Sequence, residues 1–348
     1  MRAALSWLHL WAGLSAGVLF ALIGLSGSVL AFHQEILHAQ HPQLWSSTPT
    51  ADGAVLDGIL ERWTPRGLTA IDLPRASLPV YQAYFNDDTR RYFTPHSGEL
   101  LLSRHPDDDA LLWLHELHTA LLGGERGHEI VGVIGWLALG MLLTGLYLWW
   151  PAAGRMLAQL RVHRGPPVRR WLTWHRTTGV LSLPLLLLAT FTGVGMIYHA
   201  GARTVLTAMF GGDDGPPAPQ ASTSKSGSPD WPRILASAQA ALPHSELTRL
   251  SAPAAGSDVI GLRARTSGEW HPNGRSLVFT DRTGRSVLLT HDATAQPLGS
   301  RMTGAIYPLH IGAVGGPAYR WLTALSGTLP AFMLVSGFLF WRRRRGKR

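Results

Sequence analysis

A chain of 348 residues that is 46% hydrophobic, only 15% charged and carries 14 Trp has more apolar side chains than a soluble core of that size must bury. Its formal charge of +9 is concentrated in Arg155, Arg161, Arg164, Arg169 and Arg170 and in the run Arg342 to Arg348, which argues against a nucleic-acid partner. With 0 Cys, disulfides, thiolate-bound iron–sulfur clusters, Cys-type zinc sites and covalently attached haem are excluded.

The first apolar run, Leu8 to Phe32, is long enough for a helix to cross ~30 Å of hydrocarbon. It exceeds the ~7–15 residues of a signal-peptide core and ends in no small-x-small cleavage site, so 7–33 is read as an uncleaved first span. The connection 34–112 mixes acids and bases. Within it Ala54 to Trp63 reads as a short helix, and Tyr81 to Phe85, Arg91 to Thr94 and Glu99 to Leu102 read as strands separated by turn residues. The second span falls within 113–150, its apolar stretch running from Ile130 to Trp150, with His128-Glu129 placed in a loop at its start. A basic loop, 151–170, leads to the third span at 171–199. The connection 200–305 opens with Gly211 to Pro229, whose Gly, Pro, Ser and Asp content predicts a flexible linker. The helix Trp231 to Ala241 and the strands Val259 to Ala264, Ser276 to Thr280 and Ser286 to Thr290 follow, with turns at Asn273-Gly274 and Thr283-Gly284. The fourth span lies within 306–341 and the basic tail at 342–348. The positive-inside bias puts both termini and the short loop in the cytoplasm and both long connections outside. Trp7, Trp11, Trp149, Trp150, Trp171, Trp174 and Trp341 are expected in interfacial belts.

The chain repeats itself. An offset of 166 puts His9 on His175, Gly13 on Gly179, Gly27 on Gly193 and His33 on His199; an offset of 192 puts His118 on His310, Gly123-Gly124 on Gly315-Gly316, Gly145 on Gly337 and Trp149 on Trp341. Thr94-x-x-Ser97-Gly98 and Thr280-x-x-Thr283-Gly284 mark one hairpin twice. The expected fold is therefore a membrane α-helical protein of four transmembrane helices in two tandem repeats, each repeat carrying a small α+β unit.

Histidines at membrane depth are costly and point to function. His9 and His175 lie at the cytoplasmic ends of spans one and three, and His118 and His310 open spans two and four at the outward side. Packing of the repeats about a pseudo-two-fold axis would bring equivalent residues face to face, and neutral imidazoles from facing helices suit the axial positions of b-type haem. Two such pairs would make an electron path across the membrane. His33 lies about 36 Å along the helix from His9, so His33 and His199, or a mixed pair, are rival ligands for the outer haem. His115 shares a helical face with His118, but its repeat counterpart is Tyr307, and it is read as a group behind the ligand or a substrate contact. The glycines of the spans serve either close helix packing or room for a porphyrin. Asp107 to Asp109 could hold a divalent cation or simply form a solvated, helix-capping cluster. No catalytic residue is assigned, because neither a G-x-S-x-G elbow nor an H-E-x-x-H helix occurs.

The segments Leu8-His9-x-Trp11-x-Gly13, Leu117-His118-x-x-Leu121, His175-Arg176-x-x-Gly179 and Leu309-His310-x-Gly312, together with Thr69 to Pro74 and Trp341-Arg342-Arg343, occur in an order that resembles the PepSY-associated transmembrane helix family of iron-regulated inner-membrane proteins. The resemblance covers the chain nearly end to end. It implies a bacterial inner-membrane location, periplasmic PepSY-like units, two b haems and reduction of ferric siderophores. The expected activity is that of a di-haem ferric-siderophore reductase, an oxidoreductase embedded in the lipid bilayer. A cytochrome subunit that passes electrons to a partner, and a haem-free PepSY regulatory or binding module, are the alternatives. No dinucleotide fingerprint follows a strand, so a quinol or a separate reductase must supply the electrons.

Overall fold

The computed structural model describes residues 1–151, 154–213, 215, 219, 228–252 and 257–346. Most of the expected linker Gly211 to Pro229, part of the basic loop and the last two residues of the tail lie outside the described residues. In chain order the helices are α1 (Arg2–Leu30), α2 (His33–Gln40), α3 (Gly53–Trp63), α4 (Ala110–Ala120), α5 (Gly124–Trp149), α6 (Met156–Gln159), α7 (Pro167–Ile197), α8 (His199–Phe210), α9 (Trp231–Ala241), α10 (Leu298–His310) and α11 (Gly316–Arg345). The strands are β1 (Leu68–Asp72), β2 (Tyr81–Phe85), β3 (Arg90–Phe93), β4 (Leu100–Arg104), β5 (Ser245–Ser251), β6 (Val259–Thr266), β7 (Ser276–Asp281) and β8 (Val287–His291). Two compact units result: residues 1–32, 113–202 and 309–348 form a helix bundle, and residues 33–112 and 203–308 form a sheet unit.

In the bundle, α1, α5, α7 and α11 are the helices long and apolar enough to cross a membrane among the described residues. Each runs several residues beyond its apolar stretch, because backbone hydrogen bonding continues where side chains turn polar. α1 and α7 each pack against both α5 and α11, so the four close a ring in which α1 stands diagonally across from α7. Small residues set the closest approach. Gly24 of α1 and Gly327 of α11 meet backbone to backbone, leaving no room for a Cβ on either, and Ser28 Oγ donates across the same crossing to the Ala324 carbonyl at 2.7 Å. Large apolar side chains such as Leu181, Phe191, Trp136 and Trp321 point outward at 57–65% exposure, the arrangement of helices solvated by lipid. Most of the expected belt tryptophans are partly or well exposed, but Trp149 is buried inside the bundle.

Two expectations about spans two and four change. His118 and His310 do not open the spans; they close the short helices α4 and α10, which turns separate from α5 and α11. The first turn puts Leu121 and Leu122 at φ +48° and +60°, and the second puts Gly312, Gly315 and Gly316 at φ +71° to +73°. His128-Glu129, expected in a loop, lies inside the first turns of α5.

The sheet unit corrects the picture of two separate small domains. Its strands form one antiparallel eight-stranded sheet in the order β4-β3-β2-β1-β5-β6-β7-β8. β1 and β5, neither anticipated as a strand, join the halves through Ala70↔Ser251, Ile71↔Leu250 and Asp72↔Arg249. Asp52 and Asp230 cap α3 and α9, accepting from Ala54 and Arg233 backbone N–H groups at 2.7 and 3.1 Å. These helices cover one face of the sheet, burying Leu56, Ile59, Trp231 and Ile234 against Ile71, Leu250, Leu262 and Val278. The hairpin glycines Gly98 and Gly284 adopt φ +68° and +65° beneath α3 and α9 respectively, the same turn twice.

Candidate cofactor site: two histidine pairs in the bundle

The bundle brings its histidines together in two places. Across the diagonal, the rings of His9 on α1 and His175 on α7 lie 6.3 Å apart between centroids, at 85° to each other. At the other end, the rings of His118 on α4 and His310 on α10 lie 6.1 Å apart at 44°. Counted along α1 from His9 to Gly27, which lies against His118, the two levels are about 27 Å apart.

All four rings are held alike. His118 Nδ1 donates to the Ile23 carbonyl at 2.9 Å with Ser26 Oγ at 3.2 Å. His310 Nδ1 donates to the Ala189 carbonyl at 3.1 Å with Thr192 Oγ1 at 3.1 Å. His175 Nδ1 donates to the Met333 carbonyl at 3.1 Å with Ser336 Oγ at 3.2 Å, and His9 Nδ1 lies 3.0 Å from Thr144 Oγ1 beside the Met141 carbonyl. A carbonyl oxygen only accepts, so Nδ1 carries the hydrogen and Nε2 keeps its lone pair. Each ring also rests on a glycine. A Cβ on Gly27 would come within 2.7 Å of His118 Cε1, and one on Gly145, Gly193 or Gly337 within 3.2 Å of His9, His310 or His175 Cε1.

Each seat is therefore a hydroxyl residue followed by glycine: Ser26-Gly27, Thr144-Gly145, Thr192-Gly193 and Ser336-Gly337. The repeat exposed the glycines in the sequence, but the hydroxyls were missed; their signal was a Ser-Gly or Thr-Gly step in every span. The packing and cofactor readings of the glycines divide between positions, Gly24 serving helix contact and Gly27 the histidine seat.

The rival residues stand elsewhere. His33 and His199 are exposed at the starts of α2 and α8, and His115 is exposed on α4 one turn before His118. Tyr307, the counterpart of His115, lies on α10 with its ring 5.1 Å from that of His271, a residue the sequence reading did not single out. In the acidic run, Asp109 binds Arg104 at 2.7 Å through both oxygens and accepts from the Leu112 N–H, while Asp108 accepts from the His105 N–H. Arg104 neutralises Asp109, and among the described residues no group of three His, Asp or Glu is placed to hold a metal ion.

The family described as PepSY-associated TM region matches residues 6–344, and the chain belongs to that family. No curated protein matches it.

Proposed function

We propose that this member of the PepSY-associated family holds two b-type haems, one between His9 and His175 and one between His118 and His310, and carries electrons across a bacterial inner membrane to a ferric chelate of siderophore type in the periplasm. The observation that carries the reading is the fourfold histidine seat. A gap of about 6 Å between ring centres would admit one iron bound by a nitrogen from each ring, with haem supplying the redox chemistry there. The two pairs stand at 6.3 and 6.1 Å. Each pair also has its Nδ1 hydrogens committed to carbonyls and hydroxyls, which leaves Nε2 as the basic nitrogen and fixes the tautomer a ligand needs.

When bound, haem b supplies a one-electron couple whose potential follows from its axial ligands and surroundings. The chain's own part is to hold the imidazoles, keep water out with apolar spans and set the two levels about 27 Å apart along α1. The basic residues support the orientation. Arg2 and the run Arg342 to Arg345 sit at the bundle end that carries His9 and His175, and by the positive-inside bias that end is cytoplasmic. One electron delivered to the ferric ion gives a ferrous ion that hard oxygen ligands hold less tightly, so the metal is released. The electrons come from a quinol or a separate reductase.

The test is turnover of stored electrons. Protein reduced chemically and freed of reductant should reoxidise when a ferric chelate is added, with a matching amount of ferrous iron captured by a ferrous-specific chromophore. A reduced protein that stays reduced, with no ferrous iron captured, would refute the reaction.

A further inference from the structure

The sheet unit carries a charged cluster that the histidine pairs do not use. On the sheet face turned away from α3 and α9, Asp72, Arg249 and Arg263 stand side by side on β1, β5 and β6, through the register pairs Asp72↔Arg249 and Arg249↔Arg263. Tyr84 of β2 shares that face, donating its hydroxyl to Asp72 at 3.0 Å, and the guanidinium groups of Arg249 and Arg90 lie 4.5 and 5.8 Å from its ring. Arg75 reaches across to the Asn273 side chain at 2.7 Å. The turn that holds Asn273 also holds His271 and Arg275, with Tyr307 against His271.

The charges do not balance. Five arginines, Arg75, Arg90, Arg249, Arg263 and Arg275, share the cluster with two carboxylates, Asp72 and Glu269. Asp72 is taken by Arg249 at 2.5 and 3.1 Å. Glu269 turns to the backbone N–H groups of Thr266 and Arg275 and the Ser276 hydroxyl. Among the described residues no carboxylate lies within ion-pair distance of Arg90, Arg263 or Arg275. Arg275 Nε and Arg75 Nη1 are buried without an acceptor. Burial and the surrounding Arg275, Arg263, Arg249 and Arg75 push His271 down to about 3, so it stays neutral. Burial, with Arg275 and Arg249 beside it, brings Arg263 down to about 10. Crowding uncompensated guanidinium groups is unfavourable unless an anion shares the site, and their planar forks match carboxylate and catecholate oxygens.

We propose that this arginine face binds an oxygen-rich polyanion and that, granting the reduction proposed above, the ferric chelate is an anionic polycarboxylate or catecholate complex and not a neutral or cationic hydroxamate. Arg263 and Arg275 are the gripping residues, with Arg90 at the edge. Anionic phospholipid headgroups carry the same chemistry, and the test separates the two sources.

The full chain in nanodiscs of zwitterionic lipid is titrated with gallium(III) citrate, a redox-inert probe that reports binding alone, and with a cationic ferric trihydroxamate. The expected result is saturable citrate-complex binding that weakens with salt and by about tenfold in Arg263→Gln and in Arg275→Gln, with the visible spectrum unchanged and little binding of the cationic complex. Arg90→Gln, at a less crowded position, should weaken binding without disturbing the fold, and Arg263→Lys, which keeps the charge but loses the fork, should fall between. Equal binding by wild type and variants, or preference for the cationic complex, would overturn the proposal. So would arginine-dependent binding of phosphatidylglycerol with none of gallium citrate. If gallium citrate binds but ferric citrate is not reduced, it is the reduction that fails and the binding site that stands.

Discussion

The ring of His118 lies on Gly27, with its Cε1 2.7 Å from where a Cβ on that residue would be. Of the four histidine seats this is the tightest, and α1 supplies both the floor, Gly27, and the acceptor, the Ile23 carbonyl. Gly27→Ala is therefore expected to displace His118 at a cost of about 1–3 kcal/mol from overpacking. Haem content measured on the purified variant should fall from two per chain towards one, with the remaining haem showing the spectrum of the His9/His175 pair. Gly193→Ala, where the contact is 3.2 Å, should be milder. Equal, undiminished haem content in both would show that the glycines are not seats.

The hydroxyl beside each glycine should tune the site without being needed to form it. Ser26 Oγ donates to the Ile23 carbonyl and accepts from His118, so Ser26→Ala removes one acceptor from the Nδ1–H while the carbonyl remains. On the two-haem proposal, an iron held by His118 would then receive less charge from the imidazole, and the potential of that haem should rise. A differential of ~0.5 kcal/mol corresponds to ~20 mV for one electron. Redox titration should find the outer couple raised and the inner one in place; an unmoved outer potential would remove Ser26 from the account.

The Arg104–Asp109 pair predicts acid sensitivity of the sheet unit. Burial alone would raise the Asp109 carboxyl, but hydrogen bonds from Arg104 and the Leu112 N–H hold it below the ordinary carboxylate range. A carboxylate depressed in the folded chain contributes stability above its unfolded value, about 4, and that contribution is lost as pH falls through the folded value. Asp109→Asn should cost about 2 kcal/mol near neutral pH, since it removes the charge that balances the buried Arg104 and leaves it one amide oxygen and the Tyr92 hydroxyl as acceptors. The gap between wild type and variant should close as pH drops below about 4. Thermal unfolding across pH 3 to 7 checks both; a gap that persists at low pH would assign the stabilisation to something other than this pair.

The four spans and the pairing of His9 with His175 and His118 with His310 were legible because apolar length and an ungapped repeat are written directly in the residues. The junction of the sheet was not. β1 and β5 each contain a bulge, between Leu68 and Ala70 and between Leu247 and Arg249, which shifts the alternation by one and hides the strand period. Asp72, buried in β1, further disguises it as a loop. The break after His118 was equally silent, because Leu121 and Leu122 take positive φ where the equivalent turn after His310 announces itself with glycines. The arginine cluster assembles from β1, β3, β5, β6 and two loops, so only the register of the joined sheet gathers it.

The central claim is that two imidazole pairs each bind one haem. Haem quantitation with a reduced-minus-oxidised spectrum, made on wild type and on His175→Ala and His310→Ala, tests it most directly. Two b-type haems per chain are expected in wild type, with one lost in each variant and a different spectral component missing from each. A wild-type protein with no reducible Soret and α bands, or variants that both keep two haems, would contradict it.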